Sequence, residues 1–243
     1  MRINTINEIV RDIELNPVEN GGHVYHPIPF PEFSHLSTSS NSDEVYRKWA
    51  LIENTMSQVF SSGLDGKKIL DVGANAGFYT FSLAQKGARV TSFEPHPRYG
   101  IIGKSLAREK ELDVDWYDKS FEYSLLDGNN FDITLMLSVF QWMADGGNKI
   151  DEAYKSIGKI SEMSRFLIFE LGYNKGKSCL NTNKFNHYAE LIRMLKTNTV
   201  YRCFKFVGKT QLWNSTSRFL VLCSNDKRFD DTNFYRAVRM LNI

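Results

Sequence analysis

Seven short apolar runs punctuate the chain: "KILDVG" (68–73), "ARVTSFE" (88–94), "LDVDWY" (112–117), "FDITLMLSV" (131–139), "SRFLIFEL" (164–171), "YRCFKFVG" (201–208) and "RFLVLCS" (218–224). Each has the length of a strand and the Val, Ile, Leu and Phe content of one buried on both faces. Between the first five lie helix-length segments at 77–86, 97–110 and 148–161. Strand and helix in alternation build βαβ units, and these predict a mostly parallel sheet. Only "KTQLWNSTS" separates the last two runs. So short a link cannot make a parallel crossover, and it predicts an antiparallel hairpin at the C-terminal end.

Residues 1–60 precede the sheet and read as an N-terminal cap, with a single larger domain expected over 61–243. The opening "MRINTINEIVRDIEL" has charges every few residues in place of an apolar leader core, and it reads as a short amphipathic helix. "HVYHPIPFPEF" follows, where Pro27, Pro29 and Pro31 alternate. Such a segment is expected to be an extended strap lying over the mouth of the site. Helix returns in "NSDEVYRKWALIENTMSQVF", with Asn41, Ser42 or Asp43 to cap it and Val45, Trp49, Ile52, Met56 and Val59 on one face.

At 243 residues, 42% hydrophobic and 24% charged, the composition is that of a globular protein, and no apolar run approaches the roughly 20 residues of a membrane span. The three cysteines, Cys179, Cys203 and Cys223, lack metal or disulfide spacing, which fits a reducing, cytoplasmic setting. The net charge of +2 is unevenly placed. From Lys155 to Arg228 there are fourteen Lys and Arg against four Asp and Glu. That surplus is either a solvated outer face or the footprint of an acidic or phosphorylated acceptor.

The richest stretch is "ILDVGANAGFYTF" (69–81). An apolar strand ends at Asp71 and Val72, Gly73 opens a turn, and Gly77 closes it as a helix begins. Glycines there admit a ligand close to the backbone, and a helix N-terminus offers free amides. The G-x-x-x-G pattern is weak alone. It gains weight from Asp71 at the strand end, suited to a ligand ammonium, and from Glu94, 23 residues further on at the end of the second strand, where an acid accepts ribose hydroxyls. The fourth strand, "FDITLMLSVF", ends where open α/β sheets bind ligands.

On these residues the chain resembles the class I S-adenosylmethionine-dependent methyltransferases, over residues 66–171 by motif and to 224 by topology. The resemblance implies a Rossmann-like α/β fold and S-adenosylmethionine as cofactor, with S-adenosylhomocysteine as product. It further implies that Asp71, Gly73, Asn75 and Gly77, with Phe78, hold the methionine part and Glu94 the ribose. Ser120 and Phe121 in "WYDKSFEY" fall where the family contacts adenine, with serine standing where many members have an acid. Leu137 and Ser138 would face the methyl-bearing sulfur. More narrowly, "LSVFQWM" and "LIFELG" resemble methyltransferase domains of bacterial polysaccharide assembly, including those that cap O-antigen chains. Those domains often carry histidines where this chain has Gln141 and Trp142. The proline segment with its Trp-bearing helix is also similar to wobble-uridine-modifying methyltransferases.

The reading is therefore an O-methyltransferase acting on a carbohydrate, either a glycan hydroxyl or a sugar phosphate. An RNA-modifying enzyme and a non-catalytic cofactor-binding partner are the alternatives. A sugar hydroxyl has a high pKa, so a general base is useful. Candidates are Glu170 at the end of strand five, equally readable as a structural acceptor, and His26 on the strap. Tyr25, Gln141, Trp142 and Tyr173 are candidate acceptor contacts. Asp145 and Glu170 do not make a metal site by themselves, so no metal is expected.

Overall fold

The computed structural model of the chain describes residues 6–15, 26–36, 39–126, 128–172, 188–212 and 216–231. All seven predicted strands are present, three pairing in parallel in the first compact unit and four in the second, where the C-terminal hairpin runs antiparallel. The predicted α/β, Rossmann-like fold class is the one observed. Contacts divide the chain into two compact units, Met1–Glu122 and Tyr123–Ile243.

In the first unit, helix α1 (Ile6–Leu15), a 3-10 turn (Pro31–Leu36) and helix α2 (Ser39–Val59) precede strand β1 (Lys68–Val72). Helix α3 (Phe78–Ala84), strand β2 (Arg89–Phe93), helix α4 (Pro97–Glu109) and strand β3 (Val114–Tyr117) follow. β1 pairs with β2 and β2 with β3, both in parallel. Every β1 residue from Ile69 to Val72 is buried, as expected of a strand covered on both faces. Pro97 opens α4 at a position whose N–H needs no partner.

The proline segment departs from the expected extended strap. Residues 26–30 are irregular, but Pro31–Leu36 coil into a 3-10 helix, since proline's fixed φ suits a first helical position. Nor do its apolar side chains stand over an opening. Ile28, Phe30, Phe33 and Leu36 are buried in one cluster with Ala76, Phe81, Tyr99, Ile102 and Leu106. Gln85 Nε2 donates to Pro29 O at 3.3 Å, and Lys110 pairs with Glu32 while its Nζ lies 4.4 Å from the Phe30 ring centroid. Apolar side chains drive this segment into the core, which the proline pattern alone did not indicate.

The second unit contains strand β4 (Phe131–Leu137), a four-residue helix α5 (Phe140–Met143) and helix α6 (Ile150–Met163). Strand β5 (Ser164–Glu170), helix α7 (Tyr188–Asn198) and the hairpin of β6 (Cys203–Leu212) and β7 (Thr216–Ser224) complete it. β4 and β5 are parallel, β7 is antiparallel to β5, and β6 lies outside β7. A bulge between Phe206 and Gly208 interrupts the hairpin register. Cys203 and Cys223 are buried and unoxidised; Cys179 lies outside the described residues.

Candidate active site

The glycine loop of the first unit follows directly from its residue types. Gly73 (φ 77°), Asn75 (φ 54°) and Gly77 (φ 91°) all take left-handed backbone, which glycine adopts without penalty and asparagine tolerates. A Cβ at Gly77 would stand 2.2 Å from the Phe81 ring, so α3 can pack this closely only behind a glycine. The N–H groups of Gly73 and Ala74 both donate to Phe93 O, at 2.8 and 3.0 Å, tying the loop to the end of β2.

Two buried carboxylates sit beneath it. Glu94 Oε2 accepts from Asn75 N–H at 2.7 Å and Oε1 from His96 N–H at 2.8 Å. Burial raises its pKa, against the lowering effect of those two amides. Asp71 is 2% exposed and accepts from Thr80 Oγ1 at 2.7 Å, which in turn lies 2.8 Å from Ser92 Oγ. Burial pushes Asp71 up to about 7, opposed by the Thr80 hydroxyl. Sequence reasoning missed Thr80 and Ser92; each is a small polar residue inside an apolar run, and that was the available signal.

Because the folded-state pKa lies above the unfolded value of 3.8, neutral Asp71 favours the fold below about pH 4. That contribution is lost as pH rises toward 7, by about 1.4 kcal/mol per pH unit. Thermal unfolding followed from pH 4 to 8 should show this decline in the wild type, and a flatter profile in Asp71→Asn. Identical slopes would show that Asp71 titrates normally.

Around the start of α3 lies an aromatic group: Phe78 and Tyr79 meet at 5.2 Å, Trp49 approaches both at 6.2–6.3 Å, and Tyr46 meets Phe78 at 5.3 Å. His26, half-buried, packs edge-on to Tyr79 at 5.8 Å. Past β3, Ser120 is exposed and Phe121 meets Phe93 edge-on at 5.3 Å.

In the second unit Leu137 closes β4 and Ser138 follows it in left-handed backbone (φ 57°). Ser138 N–H donates to Glu170 O at 2.9 Å, and its hydroxyl donates to Glu170 Oε2. Thr210 donates to the other oxygen of Glu170, which is fully buried. Gln141 is also fully buried: Nε2 donates to Ser138 O at 2.6 Å and Oε1 accepts from Gly172 N–H at 3.1 Å. It thus staples the end of β4 to the turn after β5, where a Cβ on Gly172 would stand 2.2 Å from the Gln141 amide. Trp142, one residue on, is 62% exposed. Thr210 and Arg218, which complete this polar group, were not singled out from sequence. Tyr25 and Tyr173 lie outside the described residues. Among the described residues no group of three or more His, Cys, Asp or Glu could hold a metal, and no helix is long and apolar enough to cross a membrane.

The loop fits a nucleoside cofactor bearing an amino acid. It combines left-handed glycines, a buried acid after β2 anchored by amides, and an Asn75 Oδ1 that is buried with no hydrogen-bond partner among the described residues. Residues 70–159 match a family model described as a methyltransferase domain. Fold, loop and family match together support a class I S-adenosylmethionine-dependent methyltransferase domain over these residues, with S-adenosylmethionine as the cofactor that the loop fits. Ubiquinone biosynthesis O-methyltransferase of Methylobacterium sp. (strain 4-46) is 32% identical over 82 residues, 34% of this chain and 33% of that protein. This match and those to the enzymes of Methylocella silvestris and Azorhizobium caulinodans span about a third of the relatives' length. Among solved structures, WbdD is similar at a TM-score of 0.61 and 18% identity, over 84% of this chain and 45% of that one. The N-terminal domain of EvdMO1, solved in the presence of SAH and D-fucose, gives 0.59 and 13% identity over 90% and 96%. At these identities the likeness is one of fold.

Proposed function

We propose that this chain methylates an oxygen of a carbohydrate, with an acidic or phosphorylated sugar as the acceptor class. The observation that carries the reading is the glycine loop over Glu94, whose carboxylate is fixed by the amides of Asn75 and His96. Support for oxygen as the acceptor atom comes from the O-methyltransferase relatives, and support for a sugar from the EvdMO1 domain solved with D-fucose. The Lys- and Arg-rich stretch from Lys155 to Arg228 favours an anionic acceptor.

Bound S-adenosylmethionine supplies an electrophilic methyl group, which passes to the acceptor oxygen by in-line displacement. Glu94 would accept the ribose hydroxyls, and Asp71 with the loop would hold the methionine part. Ser120 and Phe121 would meet the adenine. Trp142, exposed beyond β4, offers a face on which a sugar ring stacks. Two groups can take the acceptor proton. His26 carries an imidazole, the side chain most often used as a general base. Glu170 can act only by releasing Ser138 or Thr210, so in the arrangement described it orients Ser138.

Glu170→Gln and His26→Asn separate these roles. The base should lose about 10²- to 10⁴-fold in turnover with cofactor affinity within a few-fold. A loss under about tenfold in both would assign transfer to proximity and orientation alone. The proposal itself is tested by offering labelled S-adenosylmethionine with uronate and phosphate sugars, glycans, catechols and tRNA. Label appearing only in tRNA, with activity falling steeply as salt rises, would replace the sugar by an RNA. Label only in catechols would replace it by a phenol.

A further inference from the structure

We propose that Arg218 and Ser138 form an oxyanion subsite at the C-terminal edge of β4 and β5, taking a carboxylate or phosphate group of the acceptor. This deepens the carbohydrate reading and rests on it. Arg218 stands in β7 directly across from Thr210 in β6, and it is 8% exposed. Among the described residues its guanidinium makes one hydrogen bond, from Nη1 to Ser138 Oγ at 3.1 Å. Its partner there is a neutral hydroxyl and not an acid, and Nε is buried without a hydrogen-bond partner among the described residues. A buried donor left unsatisfied is unfavourable, and a charged one more so.

The bond to Ser138 uses the nitrogen on the side of the guanidinium away from Nε–H. The Nε and Nη2 hydrogens are therefore the pair that remains for a ligand. Those two donors are parallel and match the two oxygens of a carboxylate or phosphate. The Ser138 oxygen is itself held in place. Its backbone is left-handed, its N–H and hydroxyl both go to Glu170, and its carbonyl accepts from Gln141. Thr210 fills the remaining carboxylate oxygen of Glu170, so both oxygens of that acid receive hydroxyl hydrogen bonds while the guanidinium spends its own bond on a neutral hydroxyl. A rigid cation with an unused fork, placed at the sheet edge where α/β proteins bind ligands, is a receptor for a planar or tetrahedral oxyanion.

The test is a titration of 15N-arginine-labelled protein with D-glucuronate, D-glucose 1-phosphate and D-glucose, without cofactor. It follows the Arg218 Nε–H resonance, assigned by its loss in Arg218→Lys. A saturable shift with glucuronate or glucose 1-phosphate, and none with glucose, is expected. The anion that binds more tightly tells carboxylate from phosphate. Arg218→Lys keeps the charge but not the fork and should weaken that binding at least tenfold, read by calorimetry at unchanged near-UV circular dichroism. If the lysine variant does not fold, Ser138→Ala with Arg218 intact serves instead, and should weaken binding several-fold. No shift with either anion, or an equal shift with glucose, overturns the subsite. Because the titration reads binding without turnover, a positive shift with no sugar methylated would retire the methyltransfer reading and keep the subsite. Methylation of neutral sugars with no shift would do the reverse.

Discussion

Deleting residues 1–36 is expected to unfold the protein, not merely to open its site. The deletion strips Ile28, Phe30, Phe33 and Leu36, each at most 7% exposed, from the cluster around Phe81 and Ile102. At about 1.5–3 kcal/mol per buried side chain the gross loss is about 6–12 kcal/mol. That rivals the whole stability of an ordinary domain, about 5–15 kcal/mol. The Lys110–Glu32 pair and the Gln85 bond to Pro29 disappear with them. Phe33→Ala isolates the effect, with an expected cost of about 3–5 kcal/mol. Both are read by urea denaturation. A truncated protein that unfolds at the wild-type midpoint would show the strap to be a detachable lid, as its prolines first suggest.

Glu94→Ala is expected to weaken S-adenosylmethionine binding by about 10²- to 10⁴-fold, from two charged hydrogen bonds of about 1.5–3 kcal/mol each. The substitution acts twice, because it also frees the amides of Asn75 and His96 that shape the loop. Glu94→Gln keeps an acceptor oxygen and should fall between. Calorimetry measures both, and a dissociation constant unchanged in the alanine variant would move the ribose elsewhere.

The seven strands were legible because each is a short apolar run closed by a turn residue, and the cofactor loop because glycine is the residue its backbone requires. Helix α5 was not, since four residues carry no period. The burial of Gln141 was hidden for a different reason. Its partners are a backbone carbonyl and the N–H of a glycine 31 positions away, and neither leaves a mark in side-chain pattern. Arg218 gave the clearest overlooked signal, a cation at the head of the apolar run "RFLVLCS". Placing it required the hairpin register, and the bulge before Gly208 shifts that register in a way simple alternation does not foresee.

The order of strands in the second unit has a consequence for synthesis. β7 leaves the ribosome after β6 yet lies between β5 and β6. Until residue 224 has emerged, β5 has an unpaired edge, and Glu170 lacks β7 beside it. At about 5–20 residues per second that interval lasts roughly 3–10 s, during which the apolar "FLIFE" edge can pair with another nascent chain. Translation that stalls between Glu170 and Ser224 should therefore yield aggregates, whereas a stall after Ser224 should leave a chain whose β5 edge is already covered.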